Sequence, residues 1–315
     1  MAERDSAARE ERRHGRRIHA AMLGEVLTAI VTPFQEDGSV DVDAFRELAA
    51  FLCDNGSDGL VVCGTTGESP TLTNEEKLEL FAAAVDAVGD RATVIAGTGS
   101  YATAHSVRLT ERAHELGVDG FLVVTPYYSK PPQRAIVRHF EEIAAATDKP
   151  VVAYNIPARV VVNIEPETIA RLAEIENVVA VKQAHDDLDD ARFIARETRL
   201  DLYSGDDPFT FDFLGLGGVG VVSVTAHLWG DRIKEMIRCH RRGDVDAARA
   251  LHEEMTPSYE LLKVETNPIP IKAALNLLGH PGGAHRLPMV EPTDEQLRRV
   301  RACLERAGML ASAST

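Results

Sequence analysis

The 315-residue sequence lacks several features that mark whole classes of protein. No apolar run approaches the roughly 18 residues that a bilayer-spanning helix needs, so no membrane partner is expected. The four cysteines are scattered and form no C-x-x-C pair, which argues against a disulfide framework or a structural zinc site and favours a reducing cytoplasm. Basic residues are also few: 34 Lys and Arg oppose 49 Asp and Glu, giving a net charge of −15. A nucleic-acid partner is therefore not expected.

The first 21 residues differ in composition from the rest of the chain. They contain six Arg and four acidic residues but no apolar segment of the kind a secretory signal requires. An organelle transit peptide is disfavoured because such peptides avoid acidic residues. We expect residues 1–21 to be a disordered tail.

From Gly24 onward, short apolar runs alternate with longer stretches of helical periodicity. Runs such as VVAV and FLVV are apolar at every position, which is typical of strands buried on both faces. The eight predicted strands are Val26–Ile30, Gly59–Cys63, Thr93–Ala96, Gly120–Val124, Val151–Tyr154, Val178–Val181, Asp201–Ser204 and Val219–Val222. This pattern predicts an α/β fold, a (β/α)₈ TIM barrel over residues 22–243. The remaining helical patterns predict a C-terminal helical domain over residues 244–315.

Glycine-rich nucleotide loops are missing as well. The first strand runs into Thr32-Pro33-Phe34, and neither G-x-G-x-x-G nor G-x-x-x-x-G-K-[ST] occurs anywhere. This disfavours a doubly wound nucleotide-binding sheet. In a barrel, the chemistry is expected at the carboxyl ends of the strands.

Lys182 is the most informative residue at these ends, because it directly follows the apolar run Val178–Val181. Apolar surroundings lower the pKa of a lysine, and a neutral amine can form a Schiff base with a carbonyl compound. The alternative is a structural lysine that reaches solvent or pairs with Asp186. Tyr154 ends the preceding strand and could relay protons, although a buried tyrosine with a satisfied hydroxyl is the simpler interpretation of that residue alone.

Two further strand ends carry groups suited to anions. Gly64-Thr65-Thr66-Gly67 could bind a small carboxylate through amides and hydroxyls. Arg159 could bind a second carboxylate with its guanidinium fork. Each signal is weak alone, since glycine turns and solvated loop arginines are common.

Taken together, the motifs resemble one family. G-T-T-G-E-S, T-P-Y-Y, Y-N-I-P-A-R, V-K, S-G-D-D, G-V-V-S-V-T and N-P-I-P-I-K occur in this order from Gly24 to the C-terminus. The sequence is similar to the dihydrodipicolinate synthase family of the Schiff-base-forming class I pyruvate aldolases, a superfamily that also includes N-acetylneuraminate lyase. The resemblance implies a lyase of lysine and diaminopimelate biosynthesis whose substrates are pyruvate and aspartate-4-semialdehyde. It further implies a homotetramer, a dimer of dimers, without organic cofactor or catalytic metal.

The resemblance also assigns roles to individual residues. Lys182 would form the imine with pyruvate, and a proton relay would consist of Tyr154, Thr65 and Tyr128, with Tyr128 entering the neighbouring subunit's site. The substrate-binding residues would be Thr65 and Thr66 for the pyruvate carboxylate, Arg159 for the semialdehyde carboxylate, and Gly205 and Val222 for the pocket wall.

The sequence departs from the family pattern near this site. Gln183 stands where relatives usually have an acidic residue, His185-Asp186-Asp187 replaces a small-residue turn, and Val160-Val161 follows Arg159 where Thr-Gly is common. In lysine-inhibited relatives a pocket with histidine, asparagine and glutamate binds lysine. The matching positions here are Asn74, Lys77, Tyr101 and His105. We therefore expect an enzyme that lysine does not inhibit.

Three alternatives remain open. Another Schiff-base pyruvate lyase, or a 2-oxo sugar acid aldolase or dehydratase of the same superfamily, would use the same lysine with a different partner. A metal-dependent lyase could take oxygen ligands from Asp206-Asp207 or His185-Asp186-Asp187, but it would leave Lys182 without a role. A catalytically silent barrel used as a sensor would not need the complete set of site residues.

Overall fold

The computed structural model describes residues 23–311. Eight parallel strands, β1 to β8, form a closed barrel in the order of the chain, which confirms the predicted TIM barrel. The strands are β1 Val26–Ala29, β2 Gly59–Val62, β3 Thr93–Gly97, β4 Gly120–Val124, β5 Val151–Asn155, β6 Val178–Gln183, β7 Asp201–Ser204 and β8 Gly220–Ser223. The predicted disordered tail lies outside the described residues.

Helices connect successive strands and continue after the last one. The first set comprises Val42–Asp54, Asn74–Val88, Thr103–Glu115, Gln133–Ala144, Pro157–Val160, Pro166–Leu172, Leu188–Glu197, Thr210–Leu216 and Ala226–Arg241. After Arg242 the helices are Val245–Glu254, Thr256–Leu262, Ile269–Leu277 and Asp294–Arg306. No helix within residues 23–311 has the length and apolar character needed to cross a membrane.

The strands are buried almost completely, which explains their continuous apolar runs. Every residue of β1, β2, β5 and β6 is buried. β6 extends two residues beyond the predicted run, because Lys182 and Gln183 are buried and continue the ladder with β5. Lysine and glutamine are polar, so the apolar pattern alone did not predict that the strand continues through these two residues.

The chain packs as two compact units. One comprises Ile95–Val222 with the residues directly before Val26, and the other comprises Val26–Val94 and Ser223–Thr315. In the first unit β4 to β8 pair in parallel register. The second contains the β1–β2 pair and all helices after Arg242. The predicted division at residue 243, between barrel and helical domain, stays a prediction.

A buried histidine holds the end of β1 in the second unit. The His227 Nε2 accepts a hydrogen bond from the Val31 amide at 3.1 Å, and Nδ1 lies 2.7 Å from the Val224 carbonyl oxygen. Burial lowers the pKa of His227 to about 4. The ring is therefore neutral at pH 7, with the proton on Nδ1, as the two contacts require.

Candidate active site

Lys182 and Tyr154 are direct neighbours on adjacent strands. The register pairs Tyr154 of β5 with Lys182 of β6, and paired residues of parallel strands project to the same side. The Lys182 Nζ lies 4.1 Å from the centre of the Tyr154 ring, and both residues are buried. The structure thus brings together the two residues predicted to carry the chemistry.

The Lys182 amine is not committed to a structural partner. Among residues 23–311, Lys182 Nζ makes no hydrogen bond and no ion pair, so the alternative pairing with Asp186 is not formed. Asp186 instead lies 4.0 Å from His185 Nε2. A buried amine whose described contact is the face of a tyrosine ring remains available to a substrate carbonyl.

Gly205 follows β7 and packs directly against the lysine. A Cβ placed on Gly205 would lie 3.0 Å from Lys182 Cγ and 2.7 Å from the Ala184 Cβ. A side chain at this position would clash with Ala184 and crowd the lysine stem, so glycine fits the space best. Val222 is buried in β8.

The threonine loop, defined here as Gly64–Ser69, follows β2 in the second unit. It is closed by hydrogen bonds from the Glu68 amide to the Thr65 carbonyl oxygen and from the Ser69 amide to the Gly64 carbonyl oxygen. A Cβ on Gly67 would lie 3.1 Å from the Ile30 carbonyl oxygen, so glycine permits this close approach. Thr66 is buried and Thr65 is half-buried.

Tyr128 and Arg159 are exposed within the single chain. Tyr128 follows β4, has φ +70° and leaves 92% of its surface exposed. Arg159 lies in the short helix Pro157–Val160 directly after β5. Val161, which ends this helix, is held at φ +66°, a conformation that strains a β-branched residue and that the more usual glycine would adopt freely. In the described residues, no contact joins Tyr128 to Lys182 or Tyr154.

A buried amide layer lies behind the site. Asn155 Nδ2 donates to Gln183 Oε1 at 3.0 Å and to Asn163 Oδ1 at 2.7 Å. Because side chains alternate along a strand, Asn155 and Gln183 face away from Tyr154 and Lys182. The substitution of the family's usual acid by Gln183 therefore affects this layer and leaves the amine's surroundings unchanged.

One group of possible metal ligands overlaps the His185-Asp186-Asp187 segment. Ligand atoms of His185, Asp187 and Asp190 lie within 4.8 Å of one another. However, Asp187 caps the helix Leu188–Glu197 by accepting from the amides of Asp189 and Asp190, and Asp190 accepts from Asn163. The group is explained as the start of a helix.

Three residues in or beside the threonine loop were not predicted as site residues from the sequence. Glu68 lies in the loop itself, and Asn267 and Lys272 come from the N-P-I-P-I-K motif. Asn267 Nδ2 donates to Thr66 Oγ1 at 2.9 Å, and Lys272 Nζ donates to Glu68 Oε1 at 2.8 Å. Both motifs are visible in the sequence, but these two hydrogen bonds join residues about two hundred positions apart, so local spacing could not predict them.

Comparison with known proteins identifies the family. The profile of the Dihydrodipicolinate synthetase family matches residues 22–307. The chain belongs to this family. It is 50% identical to the 4-hydroxy-tetrahydrodipicolinate synthase of Moorella thermoacetica over 289 residues, which is 91% of this chain and 99% of the relative. The corresponding protein of Acidothermus cellulolyticus is 49% identical, covering 92% of this chain and 94% of the relative.

Solved structures of the dihydrodipicolinate synthetase family have the same fold. A lysine-bound structure from Cyanidioschyzon merolae superposes with a TM-score of 0.90 at 44% identity, covering 92% of this chain and 99% of the other. The structure from Aquifex aeolicus superposes with a TM-score of 0.88 at 41% identity, covering 90% and 98%. The resemblance inferred from the motifs is thereby confirmed.

Proposed function

We propose that this chain condenses pyruvate with aspartate-4-semialdehyde through a Schiff base on Lys182, the reaction for which its relatives are named 4-hydroxy-tetrahydrodipicolinate synthases. The observation that carries the proposal is the buried Lys182 amine, 4.1 Å from the centre of the Tyr154 ring, in a chain 50% identical to such a synthase. The chain acts as a lyase of the class I aldolase type, in lysine and diaminopimelate biosynthesis in the cytoplasm.

The reaction starts with the Lys182 amine and its lone pair. The amine attacks C2 of pyruvate, and loss of one water gives a protonated imine. The imine draws electrons from the methyl group, a methyl proton leaves, and the resulting enamine attacks the aldehyde carbon to form the new carbon–carbon bond. The amino group of the semialdehyde then attacks the imine carbon, closes the ring and releases Lys182.

Tyr154 supports this sequence in two ways. The face of its ring lies against Lys182 Nζ, and the negative face of an aromatic ring stabilises a nearby cation such as the protonated imine. Its hydroxyl moves protons together with Thr65 and Tyr128. The 92% exposure of Tyr128 suits a residue that enters the site of a neighbouring subunit, in a homotetramer built as a dimer of dimers.

Anion binding is local, because a protein with a net charge of −15 does not attract the carboxylate that each substrate carries. Thr65 and Thr66 hold the pyruvate carboxylate, and Arg159 holds the carboxylate of the semialdehyde. Gly205 leaves room for the lysine stem, and Val222 lines the pocket.

Reduction of the imine tests this function directly. The protein is incubated with pyruvate, treated with borohydride and digested, and we expect the mass of one reduced pyruvate on Lys182, because its buried amine lies against the Tyr154 ring and has no hydrogen-bond or ionic partner among residues 23–311. A parallel sample without pyruvate is the control. An unmodified Lys182 would refute the Schiff-base mechanism. If Lys182 is modified, a comparison of aspartate-4-semialdehyde with 2-oxo sugar acids identifies the substrate that follows pyruvate.

Lysine is expected not to inhibit the enzyme. Lys77 is buried, and burial lowers its pKa, while His105 lies 3.1 Å from the Ser100 hydroxyl. A lysine at this position disfavours the ammonium of a lysine ligand, and the glutamate that would pair with that ammonium is replaced. In an assay of the purified enzyme, half-inhibition should not be reached at sub-millimolar lysine.

The His105→Glu variant is the matched comparison for this prediction. It supplies the carboxylate that the pocket lacks, so it should be the more lysine-sensitive protein. Half-inhibition of the unmodified enzyme by sub-millimolar lysine would show that the assignment of this pocket is wrong.

A further inference from the structure

Three lysines are buried among the described residues, Lys77, Lys182 and Lys272, and the ammonium group of Lys272 is fully engaged. Lys272 Nζ donates to the Thr32 carbonyl oxygen at 2.9 Å, to Glu68 Oε1 at 2.8 Å and to the Ala284 carbonyl oxygen at 2.5 Å. Its side chain is 0% exposed and that of Glu68 is 1% exposed. An ammonium has three protons, and all three are used here. Lys272 is therefore a structural residue, whereas the Lys182 amine has no hydrogen bond or ion pair among residues 23–311.

The structure that Lys272 holds is the threonine loop. Glu68 has φ +54°, an unfavourable conformation for a residue with a side chain, and its carboxylate also accepts from the Arg286 amide at 3.3 Å. A buried ion pair contributes little net stability compared with a well-packed apolar pair. One partner of the Lys272–Glu68 pair lies in a loop that follows a barrel strand, and the presence of the pair there is better explained by the positioning of that loop.

Asn267, which precedes the same C-terminal helix, contacts the loop at a reactive group. Its Nδ2 donates to Thr66 Oγ1 at 2.9 Å. A hydroxyl has one proton to donate and two lone pairs, and Asn267 occupies one of these lone pairs. Within residues 23–311 no group accepts the Thr66 proton, and Thr66 is 3% exposed. The Thr66 hydroxyl thus keeps its proton for an acceptor outside the described residues.

We propose that Asn267 is a positioning residue that turns the Thr66 hydroxyl into a dedicated donor for the carboxylate of the 2-oxo acid substrate. The Lys272–Glu68 pair fixes the loop so that this donor keeps its place. The inference rests on the proposed function, in which Thr66 binds pyruvate. It adds that the C-terminal segment after residue 243 determines how tightly that substrate is bound.

The test is a double-mutant cycle on Asn267 and Thr66. Asn267→Ala should raise the KM for pyruvate about tenfold, the loss expected when a hydrogen bond to a charged group is misdirected, and should change kcat and the KM for the semialdehyde by less than about twofold. In a Thr66→Val background, which has no hydroxyl to orient, Asn267→Ala should add less than about twofold. A merely structural role would give the same effect in both backgrounds.

Two further variants complete the design. Asn267→Asp has the same size but only acceptor atoms, so it takes the Thr66 proton and should raise the KM at least as much as the alanine variant. Asn276→Ala is the matched control, because Asn276 lies in the helix Ile269–Leu277 that Asn267 precedes but donates to the Gly283 carbonyl oxygen. The KM of this variant should stay at the wild-type value.

The outcomes separate the two proposals. Borohydride trapping on the wild-type protein is run first, and its failure overturns the proposed function together with this inference. If trapping succeeds, a pyruvate KM that stays within about twofold of wild type in both Asn267 variants overturns the inference alone. An equal rise with and without the Thr66 hydroxyl also overturns it.

Discussion

Replacement of Lys182 by methionine should reduce kcat by at least about 10⁴-fold, equivalent to about 5.5 kcal/mol of transition-state stabilisation. Methionine retains most of the buried stem but has no amine, so no imine forms and the electron sink is lost. The fold should be retained, because in the described residues Lys182 Nζ has no hydrogen-bond or ionic partner to leave unsatisfied. The measurement is a coupled assay of condensation, with thermal unfolding followed in parallel.

Lys263→Met provides the matched control, since it removes a lysine amine from an exposed position and should leave kcat unchanged. Borohydride trapping should give a pyruvate adduct in this control and none in Lys182→Met. A Lys182→Met enzyme that still condenses the substrates, with an adduct on another lysine, would show that the nucleophile has been misassigned.

The barrel could be predicted from the sequence because its strands are buried on both faces and therefore carry continuous apolar runs. Gly120–Val124 and Asp201–Ser204 agree with the structure at both ends. The start of the helix Asn74–Val88 also has a local sequence signal, since Thr73 and Glu76 form a capping box there. Strand ends were less accurate where polar residues are buried, as in β6.

The candidate site also contains some contacts that could be predicted from the sequence and others that could not. Lys182 and Tyr154 could be paired in advance, because each follows an apolar run and adjacent parallel strands end at one level. The contacts of Asn267 and Lys272 with the threonine loop could not, because nothing in local spacing indicates a partner 201 or 204 residues away. Those contacts depend on the packing of the C-terminal helices, which sequence periodicity does not specify.

Replacement of Lys272 by methionine should lower the free energy of unfolding by about 3–5 kcal/mol, the cost of removing one partner of a fully buried ion pair. Glu68 would remain buried as an unpaired carboxylate, and the Thr32 and Ala284 carbonyl oxygens would each lose a donor. Urea denaturation of the variant and the wild-type protein measures the difference. Lys263→Met, at an exposed position, should stay within about 0.5 kcal/mol of wild type.

The double variant Lys272→Met with Glu68→Gln separates charge from packing. It removes both charges, so it should recover part of the stability lost in Lys272→Met, and the remaining loss should reflect unmade hydrogen bonds at about 1–3 kcal/mol. A double variant as unstable as Lys272→Met would show that the unpaired carboxylate is not the cause. If the double variant regains stability but still binds pyruvate poorly, the ion pair serves the position of the threonine loop more than the stability of the fold.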